Sequence, residues 1–288
     1  MSRVSVLGER LQREPGVEAA VPGRGLLLLC DLGTVFVLWW RDLRRFLRDR
    51  MRILAMLSQP LIYFLVFGYG LGNEFRGDEG FLVGEDYLHF LFPGVLGMVL
   101  LFPSFYSAVA VVWDREFGFL REILASPASR TAVVLGKVLG GTTLSLVQAA
   151  AFLGFGYLWG LHPGPGEWLA MLGIMFLLAF GFTAFGLTVA PLAGTHEGFQ
   201  VLTSFLLLPL FLLGGVFFPL WAAPDRLKLF MKADPLTYGV DAMRHVLLRD
   251  FVWQEFVVSL PLSLDLAVLG GFALLSFVLA LLSFRRTV

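Results

Sequence analysis

The stretch WDREFGFLREILASPASR, residues 113–130, separates two apolar runs that are each long enough to cross a bilayer. Asp114, Arg115, Glu116, Arg121 and Glu122 fall within nine positions of one another. Each charge costs about 2.5 to 3.5 kcal/mol at a bilayer centre, more in sum than the neighbouring leucines offset. The stretch therefore lies outside the hydrocarbon. Asp114 is placed to cap a short helix whose apolar side is Phe117, Leu120, Ile123 and Leu124, spaced to share one face. Pro127 ends that helix, and Ser129 is placed to cap the next. The expectation is a surface helix by which a partner drives the protein.

Outward from this stretch the chain is apolar. Of 288 residues 57% are hydrophobic and 15% charged, with mean hydropathy +0.78, against an apolar share of roughly 45–50% in a soluble domain. The apolar stretches are continuous rather than alternating, which predicts an all-α integral membrane protein and favours helices over a barrel. Six spans are expected: 53–71, 87–112, 131–159, 168–192, 199–218 and 262–284. Cys30 is the only cysteine, so no intrachain disulfide forms, and it reads as a structural thiol. Residues 1–31 form a polar tail and the start of an apolar lead-in, and 32–288 a single transmembrane domain. The lead-in carries Asp31 and has no small-residue cleavage site, unlike a signal peptide.

Residues 35–52 alternate two kinds of face. Arg41, Arg44, Arg45, Arg48 and Arg52 recur at helical spacing, while Val35, Trp39, Leu43, Phe46 and Leu47 share the other side. Such a helix lies in the plane of the interface, its aromatic side in the acyl boundary and its arginines toward anionic lipid headgroups. Trp39 and Trp40 argue for lipid rather than nucleic acid as the partner. The arginines of this segment, Arg115, Arg121 and Arg130, and Arg285 and Arg286 stand on one side, whereas the loop 72–86 is mainly acidic; both termini are expected in the cytoplasm. The external segment 219–258 balances its charges and contains a turn at 219–224 and two short helices, 225–233 and 236–248, the second with Leu236, Val240, Met243 and Leu247 on one side. They read as re-entrant helices dipping into the outer leaflet; a solvated cap is the alternative.

Chemistry inside the membrane is sparse. His89, His162, His196 and His245 form no His pair of the HExxH kind, and the predicted metal set is none, as is the catalytic set. Lys137 is the one charge inside the third span, near enough to its cytoplasmic start to snorkel. Gly136-Lys137 is not a phosphate-binding loop, because Thr131 stands where the first glycine is needed and Val138 where Ser or Thr is needed. An ion-coupled carrier would need ionisable groups at membrane depth, so that reading ranks last. The energy source is expected elsewhere.

Three stretches resemble the type-2 permease subunits of ATP-binding-cassette (ABC) exporters, in particular the daunorubicin-resistance and nodulation-factor exporter permeases. They are QPLIYFLVFGYGLG (59–72); FPGVLG (92–97) with REFGFLREILASPASRTAVVLGKVLG (115–140); and GGVFFPLWAAPDRLKLFMKADPLTYGVDAMRHVLL (214–248). The resemblance implies a permease with no ATPase site or cofactor of its own, in a bacterial inner membrane. Two separate ATP-binding subunits would bind the ATP and Mg²⁺. A second copy, as a homodimer, or a paralogous permease would complete the pathway. It further implies that Asp114, Arg115, Glu116, Phe117, Gly118, Leu120, Arg121 and Leu124 form the ATPase-coupling helix. Trp39, Arg41, Arg44, Arg45 and Arg48 would belong to the interfacial helix, and Pro219, Pro235, Tyr238, Asp241 and Arg244 to the re-entrant segment. Phe102, Phe105, Tyr106, Phe205, Phe211 and Phe217 are candidates for a substrate path, since an apolar aromatic wall suits a hydrophobic drug or lipid; packing or lipid contact is the plainer use of phenylalanine. Outward transport of such a substrate is the leading expectation, and export of a lipid-linked saccharide the alternative.

Overall fold

The computed structural model describes residues 24–48, 50–74, 85–118, 129–193, 195–251 and 254–286. Among them there is no strand. The helices are α1 Arg24–Arg48, α2 Arg50–Glu74, α3 Glu85–Tyr106, α4 Val109–Glu116, α5 Arg130–Phe155, α6 Pro165–Val189, α7 His196–Leu213, α8 Asp225–Ala233, α9 Pro235–Leu247, α10 Gln254–Val257 and α11 Leu262–Arg286. Five apolar stretches among the described residues are long enough to cross a membrane: Tyr87–Glu116, Arg130–Trp159, Pro165–Leu192, His196–Leu213 and Leu262–Phe284. The sixth expected span, 53–71, falls within α2.

α3 is the central helix. Every residue from Phe90 to Leu101 is buried, and α3 packs against α2, α5, α6, α7 and α9. Phe64 of α2 meets Phe92, Phe152 and Trp159 edge-on at 5.6, 6.3 and 5.0 Å, the arrangement that the aromatic quadrupole favours. Gly186 of α6 lies so close to α3 that a Cβ would fall 2.6 Å from the Phe105 carbonyl oxygen. This is the close approach that small residues permit between membrane helices.

Local signals fix several ends. Ser129 caps α5 by accepting from Ala132 N at 3.1 Å. Pro165 opens α6 at its first turn, and the Glu167 carboxylate accepts from Gly164 N at 2.8 Å. Pro235 opens α9 behind the Asp234 cap, and Leu236, Val240, Met243 and Leu247 are all buried. α7 stops at Leu213, five residues before the expected end of its span, because Gly215 turns at φ +66° and Pro219 follows.

Two expectations are corrected here. Asp114 does not start a surface helix: it lies in the last turn of α4, which follows α3 after a break at residues 107–108 and ends at Glu116, with Gly118 at φ +77° beyond it. The helix outlasts the apolar run because its charged residues find partners. Leu120, Arg121, Ile123, Leu124 and Pro127 lie outside the described residues. The amphipathic helix also begins well before residue 35, and the expected inward and outward faces change places in part. α1 begins at Arg24 and ends at Arg48, and Trp39 turns inward, its indole N–H donating to Thr143 Oγ1 at 3.0 Å. Leu38 and Phe46 are buried beside it, whereas Leu47, expected on the same side, is exposed in an apolar stripe with Leu32, Phe36 and Trp40.

Candidate functional site

Three consecutive charged residues end α4, and each bonds to a different element. Asp114 takes the Lys137 ammonium of α5 on Oδ2 at 2.5 Å, with Arg41 Nη2 of α1 at 3.6 Å. Arg115 donates to the carbonyls of Pro191 (3.2 Å) and Ala193 (2.9 Å), at the C-terminal end of the α6 span. Those carbonyls are otherwise the orphan acceptors of a helix end, and a cation there also suits the helix dipole. Glu116 Oε1 accepts from His196 N at 2.8 Å, in the first turn of α7, where an anion is the favoured charge. Trp113 faces the His196 ring at 5.2 Å, and the Arg45 guanidinium lies 5.6 Å from the Trp113 ring centroid.

Lys137 corrects the expectation of snorkelling. Only 4% of it is exposed, so its charge is held inside by Asp114 rather than carried to water. Arg41 also pairs with Asp42 at 3.1 Å, and Gly136 and Gly140 leave room for Val35, Leu38 and Asp42 to lie against α5. At the far end of the charged stretch, Asp31 of α1 accepts from Ser129 N at 2.8 Å. α1 thus grips both the entry and the exit of the segment 115–128. Phe117, expected on an apolar face, is 83% exposed at the start of that segment. Arg44, Arg45 and Arg48 are exposed along α1.

The candidate path residues separate into three groups. Phe211 meets Phe102 at 6.0 Å and Phe217 at 5.5 Å, between α2, α3 and α7. Phe105 is fully buried and stacks on Phe199 at 5.9 Å, with Tyr106 at 6.4 Å from the same ring. Phe205 points away from both, 82% exposed. A cavity of about 150 Å³ between α2 and α3 is lined by Gln59, Pro60, Met98, Val99, Phe102, Pro103 and Tyr106. It is apolar except for the Gln59 amide and the Tyr106 hydroxyl.

The external segment is organised by Arg244. Its Nη2 lies 2.7, 3.4 and 3.5 Å from the carbonyl oxygens of Gly215, Val216 and Phe90, and its guanidinium lies 3.9 Å over the Phe90 ring. Asp241, one turn earlier, accepts from the N–H groups of Ser259 and Leu260. Tyr238 donates to the Lys232 carbonyl at 2.7 Å. Pro219 precedes a single 3₁₀ turn, Leu220–Ala222, at the start of the segment.

A profile of ABC-2 type transporters matches residues 34–248, from α1 to the end of α9. The chain belongs to the ABC-2 type transporter family. Similar proteins include the putative transport permease ycf38 of Cyanophora paradoxa, 28% identical over 254 residues that cover 85% of this chain and 87% of the relative. The inner membrane transport permease YadH of Escherichia coli strain K12 is 24% identical over 213 residues, 72% and 80% of the two chains. The daunorubicin resistance ABC transporter permease protein DrrB1 of Streptomyces coeruleorubidus is 24% identical over 211 residues, 72% of each. Permeases of the ABC-2 family work with an ATP-binding cassette subunit and lack an ATPase site of their own. The chain is therefore a multi-pass permease subunit of an ABC transporter.

Several residues of this ABC-2 permease that shape the site carry a weak sequence signal. Asp31 and Asp42 stand beside or within apolar turns, and a lone charge in such a setting implies a partner, though not which one. Asp234 is a clearer case. It is buried, one carboxylate oxygen accepts from Leu236 N at 2.9 Å, and the other has no hydrogen-bond partner among the described residues. Burial pushes its carboxyl up to about 7, partly opposed by the Leu236 N–H. The folded chain therefore holds this proton more tightly than the unfolded one. Its contribution is fully present below the ordinary carboxyl value near 4 and is lost as pH rises through about 7. Asp234→Asn keeps a capping oxygen and removes the charge. It is expected to stabilise the chain by roughly 2 to 4 kcal/mol above neutral pH and to flatten that part of the pH profile. Thermal unfolding in detergent between about pH 5 and pH 8 checks this, and parallel profiles for the two proteins would refute it.

Proposed function

We propose that this permease is the transmembrane half of an ATP-driven exporter of hydrophobic or amphipathic molecules, driven through the segment that follows α4. Two copies form the pathway, and two ATP-binding subunits dock on the cytoplasmic side, where both termini also lie. α2 supplies the sixth span through 53–71, and α8 and α9 re-enter the outer leaflet, a reading supported by the exposed Trp221, Leu229 and Phe230. α1 lies along the inner surface of a bacterial inner membrane, with Leu32, Phe36 and Trp40 toward the acyl chains and Arg44, Arg45 and Arg48 toward headgroups.

The observation that carries the reading is the branching of contacts at Asp114, Arg115 and Glu116. A displacement of residues 117–128 by a partner pulls at once on α5, on the end of α6 and on the start of α7, while α1 holds both ends of the moving segment. ATP binding can shift such an arrangement only through contacts that differ between its two states. A stem bonded to three helices gives the partner a means to make them differ.

Glu116→Ala removes the carboxylate from the head of α7 without opening a core cavity, since Glu116 is exposed. It is expected to leave co-purification with the ATP-binding subunit intact and to lower substrate-stimulated ATP hydrolysis about tenfold, corresponding to a coupling loss of about 1.4 kcal/mol. Normal coupled transport by the variant would remove this stem from the drive train. For the cargo, the cavity beside Phe102 and Tyr106 favours an apolar molecule, and a relative named for daunorubicin resistance fits that chemistry. ATPase stimulation in liposomes by drugs and lipids, against lipid-linked sugars, separates the leading reading from saccharide export.

A further inference from the structure

We propose that Asp241, His245 and Asp265, with the Leu260 carbonyl, form a binding site for a divalent transition-metal ion of the zinc class at the external end of the last span. Asp241 and His245 are four residues apart on α9 and so stand on one side of it, one turn above the other. Asp265 comes from the first turn of α11. One potential ligand atom from each of the three lies within 4.8 Å of the others. His245 Nε2 is 4.0 Å from Asp265 Oδ2 and 2.7 Å from the Leu260 carbonyl oxygen.

Asp265 supplies the argument for a cation. It is completely buried, and among the described residues neither of its carboxylate oxygens has a hydrogen-bond partner. A buried carboxylate in that condition is expensive, and proteins normally pair such a group or give it to a metal. Asp241 is buried beside it but is already oriented, its oxygens fixed by the N–H groups of Ser259 and Leu260 at 2.9 to 3.1 Å, with lone pairs left over. The charge cluster around Asp114 differs, because there a lysine and an arginine lie within ion-pair distance of the carboxylate, whereas Arg244, the cation near Asp241, gives its hydrogen bonds to backbone carbonyls.

The donor set narrows the ion. One imidazole with two carboxylates and a carbonyl suits zinc or a similar borderline ion. Calcium takes six to eight oxygen ligands, and magnesium retains several waters in a strict octahedron. When Nε2 carries the proton it donates to Leu260 O; binding a cation requires the other tautomer, with both the ring nitrogen and the carbonyl turning lone pairs to the ion. The His245 side chain is 23% exposed and gives the ion a way in. The ion would tie α9 to the head of α11 and so brace the external segment. The site does not depend on the direction of transport or on ATP coupling.

The test uses the full-length chain in detergent, stripped with a chelator and titrated with Zn²⁺ or with Mg²⁺, reading bound metal and the thermal unfolding midpoint. The expected result is saturable Zn²⁺ binding at one ion per chain with a raised midpoint, and no midpoint change with Mg²⁺. Asp265→Asn and His245→Gln should each weaken Zn²⁺ binding by at least about 100-fold, since loss of an outer-shell group alone costs 10–100-fold. His245 is partly exposed, so its variant reports even if Asp265→Asn does not fold. Absence of a Zn²⁺-dependent midpoint shift in the unmodified chain, or unchanged affinity in His245→Gln, would overturn the proposal.

Discussion

Lys137→Ala is expected to destabilise the permease by about 3 to 5 kcal/mol, the range for breaking a buried ion pair by removing one partner. The Lys137 side chain is 3% exposed and that of Asp114 16%. Removing the ammonium leaves Asp114 with Arg41 alone, at 3.6 Å and already paired with Asp42. The uncompensated carboxylate, more than the lost attraction, sets the cost. Lys137→Met keeps most of the volume and should be nearly as damaging. Lys137→Met combined with Asp114→Asn should recover most of the loss, because no charge is then left without its partner. Unfolding of the unmodified chain, Lys137→Met, Asp114→Asn and the double variant in detergent gives the cycle directly. A coupling energy of about 2 kcal/mol or more supports a structural pair, and one below about 0.5 kcal/mol would mean that the two residues act independently. Since Asp114 lies at the head of the branching stem, Lys137→Met should also impair substrate-stimulated ATP hydrolysis beyond what its stability loss accounts for.

Which parts of this arrangement were readable from the chain follows from the range of the interactions. The charges of 113–130 had to leave the hydrocarbon wherever they went, because that conclusion needs only a transfer energy. The Ser129 cap and the Pro235 start are equally local, set within three residues of the helix end. The partners of Asp114 and Glu116 are not local: Lys137 lies 23 residues away and His196 80. Without them, a charged helix that outlasts its apolar run looked like a new helix starting at Asp114. α1 shows a subtler limit. Periodicity groups Leu47 with Val35, Trp39, Leu43 and Phe46 on one side, yet Leu47 is exposed in a stripe with Leu32, Phe36 and Trp40 while Phe46 is buried. Only the groove made by Gly136 and Gly140 decides which residues face the bundle. Among the path candidates, Phe205 and Phe211 lie six residues apart on α7, about 240° around a helix with 3.6 residues per turn. Residue type treated them alike, while packing leaves one 82% exposed and the other 3%.

Arg244→Ala is expected to cost about 3 to 5 kcal/mol as well, through loss of a fixed point rather than of an ion pair. Arg244 leads the large side chains that are fully buried, and burial pulls its guanidinium down to about 10, which leaves it charged at neutral pH. Its work is done on backbone. The turn at Gly215 and Val216 follows the end of α7, so its carbonyls have no helical donors, and Arg244 Nη2 answers the Gly215 oxygen at 2.7 Å. Gly94 of α3 packs against the same turn so closely that a Cβ would lie 2.8 Å from Val216 Cα. Truncation therefore orphans a carbonyl, opens a cavity the size of a guanidinium over the Phe90 ring, and leaves Asp241 without the nearby positive charge that offsets its burial. Arg244→Lys keeps the charge but loses the planar fork that stacks on Phe90 while reaching Gly215, and should recover only part of the loss. Arg244→Met restores volume without any donor. If Met and Ala are equally damaging while Lys is milder, the carbonyl contacts carry the effect; if Met alone rescues, Arg244 acts as packing. Thermal unfolding ranks the three variants, and limited proteolysis at the 214–224 turn reports whether its anchoring has been lost. The expected order of stability is unmodified chain, Lys, Met, Ala, because a turn that links a membrane span to the external helices needs a donor on its carbonyls before it needs volume behind them.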